Sequence, residues 1–101
     1  MPNPAYLRGR RFEWERLKYY REVMKADAAL RTAGSHGFAD LIVVRKGQVT
    51  FVQCKVVDDP KIAQRLLRQF RENPPPIPPG NYHQVLEVKV KGSKEVHSVT
   101  V

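Results

Sequence analysis

Between Gly9 and Lys25, apolar side chains (Phe12, Leu17, Tyr20, Val23, Met24) recur mostly at three- and four-residue steps among charged ones. That period predicts an amphipathic helix. Residues 1–8 show no period and contain two prolines, so they predict a short extended arm. Ala28 to Thr32 predicts a first strand with Leu30 inward, and the Gly- and Ser-rich 33–37 predicts a turn or bulge that exposes backbone N–H groups. From Asp40 to Lys55 the pattern becomes a β-hairpin closed by Lys46-Gly47. Arg45 then faces Gln48, and the same register sets Asp40 opposite Gln53, with Cβ atoms roughly 4.5–5.5 Å apart. Alternation places Asp40, Ile42, Val44, Val49, Phe51, Gln53 and Lys55 on one face and Leu41, Val43, Val52 and Cys54 on the other. Both faces carry apolar residues, as a central hairpin under helices requires.

Asp58-Asp59-Pro60 is a helix start, an acidic cap region followed by Pro at the first helical position. The helix it opens runs to about Glu72, with Ile62, Leu66, Leu67 and Phe70 as its buried stripe. Five prolines in 73–80 end it and predict a stiff connector. Tyr82 to Val90 reads as a strand with Leu86, Val88 and Val90 on one face and Glu87 and Lys89 on the other. Lys91 to Lys94 turns the chain into a last strand, 95–101. The resulting order is helix, three strands, helix, two strands: an α/β fold with a central five-stranded mixed sheet flanked by two helices, built as a single domain over residues 1–101.

Charge changes the picture from fold to partner. Lys and Arg number 18 against 10 Asp and Glu, a formal charge of +8 that favours a polyanion such as nucleic acid. Arg8, Arg10 and Arg11 bunch at the predicted start of the first helix, where they oppose its dipole, so a phosphate partner explains them better than helix electrostatics. Arg65 and Arg68, with Lys61 and Arg71, lie off the apolar stripe of the second helix; they are either a solvated face or a further phosphate contact. Cys54 is the sole cysteine, which excludes an internal disulfide and cysteine-rich metal sites and suits a reducing cytoplasm. No apolar run approaches 18 residues, and no signal-peptide core precedes the first helix, so no membrane association is expected.

Candidate chemistry gathers at the Asp40 end of the hairpin. Hard divalent cations such as Mg²⁺ or Mn²⁺ take oxygen ligands, commonly one or two carboxylates completed by water and substrate oxygens. Asp40 offers a carboxylate, Gln53 a side-chain carbonyl, Cys54 its backbone carbonyl, and Glu13, on the inward stripe of the first helix, a second carboxylate. Lys55 falls on the same face, suited to orienting a water or stabilising transition-state charge. Ser35 and its neighbouring glycines suit contact with a phosphate, and His36 is a weaker candidate for the same role.

Gly9-x-x-x-Glu13, Arg31-x-Ala-Gly-Ser-x-Gly37, Asp40-Leu41 and Gln53-x-Lys55, covering roughly Arg8 to Val56, resemble the PD-(D/E)XK nuclease superfamily and, within it, the archaeal-type Holliday junction resolvases. The resemblance implies a restriction-endonuclease-like core. It implies that Glu13, Asp40 and position 53 bind Mg²⁺ or Mn²⁺, that Lys55 is catalytic, and that Ser35, with Arg31 nearby, handles the substrate phosphate. It further implies a homodimer nicking symmetric strands of a four-way DNA junction in a prokaryotic or phage-infected cytoplasm. Gln53 departs from the pattern, which has Glu there. It is either the natural Gln-x-Lys variant, as in Mrr-type nucleases, or an inactivating Glu-to-Gln change. The alternatives to a resolvase are accordingly a nuclease of the same superfamily acting on duplex DNA, and a junction-binding protein that no longer cuts.

Overall fold

In the computed structural model, residues 3–32, 39–76 and 80–101 are described. Helix α1 spans Pro4–Glu22, followed by β1 (Ala28–Arg31), β2 (Leu41–Arg45) and β3 (Gln48–Val57). Helix α2 spans Pro60–Glu72, and β4 (Tyr82–Val90) and β5 (Val96–Thr100) complete the chain. The strands form one five-stranded sheet in sequence order, antiparallel throughout except for the parallel β3–β4 pair, which α2 connects. The predicted α/β architecture is therefore present. Among the described residues, no helix is long and apolar enough to cross a membrane.

The first helix begins earlier than its apolar period suggests. The Asn3 side chain accepts the Tyr6 N–H at 2.7 Å, and Pro4 occupies the first turn, where its missing N–H costs no hydrogen bond. Most of the predicted arm is thus helix. Arg8, Arg10 and Arg11 consequently sit in the second and third turns, where the helix dipole has largely decayed, and the dipole argument about them lapses. Asp59 caps α2 as its sequence indicates, accepting the Lys61 N–H at 2.7 Å ahead of Pro60. At the β2–β3 turn Lys46 and Gly47 both take positive φ, 53° and 77°, the geometry of the tight hairpin turn whose twist matches its strands. Asp27 steadies that turn by accepting the Lys46 N–H at 2.7 Å. Arg45 does pair with Gln48, and the ladder holds in that register as far as Leu41 and Val52.

Each helix packs on its own face of the sheet. α1 lays Phe12 and Leu17 on Ala29, Leu41, Val43, Val52, Cys54 and Val85. α2 lays Ala63 and Phe70 on Leu86, Val88 and Val99 at the other face, towards the β5 side. Because α2 covers only β3, β4 and β5, the β1–β2 part of its face stays open. This is why Leu30 points outward, 48% exposed, and the small Ala29 is the β1 residue facing α1. Val23, predicted on the inward stripe, is exposed as well, since it is the residue that ends the helix.

Burial on the α1 face is not purely apolar. Glu87 is 3% exposed, on the face opposite Leu86 and Val88. Arg16 clasps it with two hydrogen bonds, Nε to Oε1 at 2.8 Å and Nη2 to Oε2 at 3.0 Å, and the Tyr20 hydroxyl donates to Oε2 at 2.7 Å. Burial, then the Glu87 charge, pushes the Tyr20 hydroxyl well above its usual range, so it stays a donor. A fully satisfied buried triad of this kind ties the middle of α1 to β4.

Candidate active site

β3 outruns β2. Beyond Val52 its residues 53–57 pair with β4 alone, leaving an open lane along the strand edge beside the start of β2. Asp40 stands at the mouth of that lane. Its own N–H donates to the Val52 carbonyl at 2.8 Å, and its carboxylate Oδ2 accepts the Cys54 N–H at 2.8 Å. A strand residue sends its N–H and C=O to the same side, so the Cys54 carbonyl also faces the lane. Asp40 is braced on its other side by Thr32, whose N–H donates to the Asp40 carbonyl at 2.9 Å and whose hydroxyl donates to the Ala39 carbonyl at 2.6 Å.

Helix α1 brings Glu13 to the same place. Tyr6, Gly9, Arg10 and Glu13 border a cleft of about 260 Å³ whose other wall is Arg31, Asp40, Cys54 and Lys55. Arg31 donates from Nε to Glu13 Oε1 at 3.0 Å, and its guanidinium lies 5.3 Å from the Trp14 ring centre. Even so, the Glu13 carboxyl is raised above its usual range: burial comes first, then the negative charge of Asp40, against the opposing pull of Arg31. A carboxylate whose ionisation is made costlier by burial and by a second carboxylate makes a site that gains from a cation. Cys54, by contrast, is no nucleophile; burial, then the charges of Glu87 and Asp40, push its thiol far above neutrality.

The structure thus brings together Glu13, Asp40, Cys54, Lys55, Arg31 and Arg10. Gln53 goes elsewhere. The face shared by Asp40, Gln53 and Lys55 in strict alternation does not form, because the ladder ends at Leu41 and Asp40 turns in a bend towards the strand edge. Gln53 faces the α2 side and borders a separate cleft of about 440 Å³ with Leu66, Phe70 and Asn73. Lys55, near the end of the strand, borders both clefts. Arg65 and Arg68 are exposed on α2 and border neither. Arg8 and Arg11 line a neighbouring cleft. Ser35 and His36 lie outside the described residues. Sequence reasoning misses Tyr6 and Trp14, both about half exposed; Tyr6, seven residues before Glu13, shares its side of α1 and could be found by that spacing, whereas Trp14 meets the site only through Arg31.

Tested for a hard divalent cation, the donor set fits: two carboxylates and a backbone carbonyl, all oxygens. Among the described residues no cluster of three or more His, Cys, Asp or Glu side chains forms, so the carboxylates of this site number two. That is the usual protein complement for Mg²⁺, which keeps several waters. Comparison with protein-family models, with curated proteins and with solved structures gave no match to this chain.

Proposed function

We propose that this domain is a metal-dependent nuclease that hydrolyses phosphodiester bonds in DNA, and that its substrate is the four-way junction. The observation that carries the reading is the convergence of Glu13 and Asp40, with Lys55 beside them, on a cleft at the open edge of β3. Glu13, Asp40 and the Cys54 carbonyl would hold Mg²⁺ or Mn²⁺, which neutralises charge and lowers the pKa of an attacking water in such sites. Lys55 supplies a mobile positive charge at the cleft rim, suited to the phosphoryl oxygens as negative charge builds on them. Asp40 is held by backbone hydrogen bonds rather than by a flexible neighbour, so its carboxylate is positioned before any ligand arrives.

Support for the resolvase class comes from the order of elements and from the motifs, which agree with the restriction-endonuclease-like core that the resemblance implies. The net charge of +8 suits a DNA partner. A homodimer suits a twofold-symmetric junction, and the part of the sheet left uncovered by α2 offers it half-buried Ile42 and Val44 beside exposed Leu30. A labelled four-way junction and a linear duplex of the same sequences, each with Mg²⁺, test the reading. Paired symmetric nicks confined to the junction are expected; cutting of linear duplex would instead identify a duplex-acting nuclease.

One feature favours a second reading, a junction-binding protein that no longer cuts. Gln53 is neutral where the resolvase motif carries Glu. Tight junction binding with no Mg²⁺-dependent cleavage would establish it, and because Gln53 borders the α2 cleft rather than the Glu13–Asp40 cleft, Gln53→Glu alone is not expected to restore cutting.

A further inference from the structure

Beside the carboxylate cleft lies a second one of about 190 Å³, lined by Arg8 and Arg11 from α1 and by Lys89 and Lys91 from the end of β4. Val56 borders both clefts, so the two adjoin along β3. Four cations face one carboxylate there, Glu15, which accepts from Lys89 Nζ at 3.3 Å. Lys89 Nζ also lies 5.9 Å from the Phe12 ring centre. Arg8, Arg11 and Lys91 make no ion pair or side-chain hydrogen bond with any described residue. Their backbones are nonetheless fixed, the arginines in mid-helix and Lys91 by its N–H donating to the Val57 carbonyl at 2.7 Å. Next to Lys91, Gly92 takes φ +85°, keeping the turn that presents the lysine free of a side chain. Like charges gathered from segments some eighty residues apart repel one another unless an anion sits between them.

We infer that the Arg8–Arg11–Lys89–Lys91 cleft is a phosphate site, occupied by a backbone phosphate of a nucleic-acid strand whose neighbouring phosphodiester lies in the Glu13–Asp40 cleft. That the strand is a nuclease substrate rests on the function proposed above; the phosphate chemistry of the cleft does not. The cations meet phosphate oxygens and no base edge, so the site sets where the strand lies without reading its sequence.

The test replaces Arg8 and Lys91 together by Gln and measures binding of a fluorescent four-way junction and a single-stranded oligonucleotide by anisotropy, in EDTA, between 50 and 200 mM salt. Loss of two phosphate contacts should weaken both complexes at least about tenfold and make the slope of log K against log salt shallower by about 1.8 for the junction and about 1.4 for the single strand. A control pair, Lys18→Gln with Arg45→Gln, removes the same charge from exposed positions that border neither cleft. Parental affinity and slope in the first pair, or an equal loss in the control pair, would overturn the inference. If the first pair fails to fold, Lys91→Gln alone, in an exposed turn, should still lower the slope by about one. Inorganic phosphate, titrated with amide shifts as the readout, distinguishes a free phosphate ligand. Submillimolar saturation at Arg8 and Lys91 with DNA affinity unaffected would reassign the occupant and refute the strand claim. An absence of cleavage by the parent protein, with these binding results as expected, would refute the nuclease reading alone.

Discussion

Asp40 Oδ2 accepts the backbone N–H of Cys54 at 2.8 Å, across the point where β2 stops and β3 continues. One carboxylate oxygen thereby substitutes for the missing strand, and the residue is placed by its hydrogen bonds to β3. Its replacements should therefore separate structure from chemistry. Asp40→Asn keeps an oxygen acceptor and should melt in urea within about 1 kcal/mol of the parent. Asp40→Ala leaves a partly buried N–H without its partner and should cost about 1–3 kcal/mol. Equal stability of the two variants would show that the hydrogen bond does not matter to the fold.

Glu13 provides a pH-dependent readout of the same pair. Its carboxyl is raised by burial first and by the Asp40 charge second, so the folded protein binds this proton more tightly than the unfolded chain does. A raised carboxyl makes stability fall as pH climbs from the ordinary Glu range through the folded pKa, and the deficit persists above it. Carbon-detected NMR titration of the Glu13 carboxyl should show a midpoint above the ordinary Glu value, moving down in Asp40→Asn. An unchanged midpoint in the variant would show that the two carboxylates do not interact. Addition of Mg²⁺ should lower the parent's midpoint too, because cation and proton compete for the same oxygens.

The Arg16–Glu87–Tyr20 triad gives a stability prediction remote from the cleft. Arg16→Met strands a carboxylate that is 3% exposed, and breaking a buried ion pair from one side costs about 3–5 kcal/mol. Adding Glu87→Gln to Arg16→Met, which removes the stranded charge, should recover part of that loss in chemical denaturation. A deficit that the second substitution does not relieve would mean that lost packing, not lost charge balance, is responsible.

Gly9 lies within α1 and borders the carboxylate cleft, and a Cβ there would meet nothing within 4 Å. Gly9→Ala should therefore stabilise the helix by about 0.5–1 kcal/mol, raising Tm by roughly 2–8 °C in a domain of this size. The same methyl would stand in the path of a strand approaching Glu13, so DNA binding should weaken while Tm rises. Gain of stability with unchanged binding would place the DNA away from this wall.

These sites were unequally legible in the sequence. Lys46-Gly47 and Asp59-Pro60 announce their turn and cap through local backbone chemistry, and so the β2–β3 register and the start of α2 came out correctly. The start of α1 did not, because it depends on one cap, Asn3, before any apolar period begins. Periodicity marks a stripe but not the sheet face that it covers, so it points Leu30 inward where the buried β1 residue is Ala29. Alternation holds only while a ladder lasts. Asp40 lies one residue past its end, and its carboxylate turns to the strand edge while Gln53 stays on the α2 side. Alternation sets Glu87 with Lys89 on the face away from Leu86 and Val88, and nothing in the strand itself signals its burial. The clue was on α1, where Arg16 falls four residues after Phe12 and four before Tyr20, within the inward stripe.

The central claim is that Glu13 and Asp40 form the charged site at which DNA is cut. Its most direct test is cleavage of a labelled four-way junction over a Mg²⁺ titration by the parent protein and by Asp40→Asn, with junction affinity measured in parallel. Mg²⁺-dependent nicking by the parent is expected, at least about a hundredfold slower in the variant, with affinity within about threefold. Undiminished cleavage by Asp40→Asn, or loss of binding in a variant of parental stability, would contradict it.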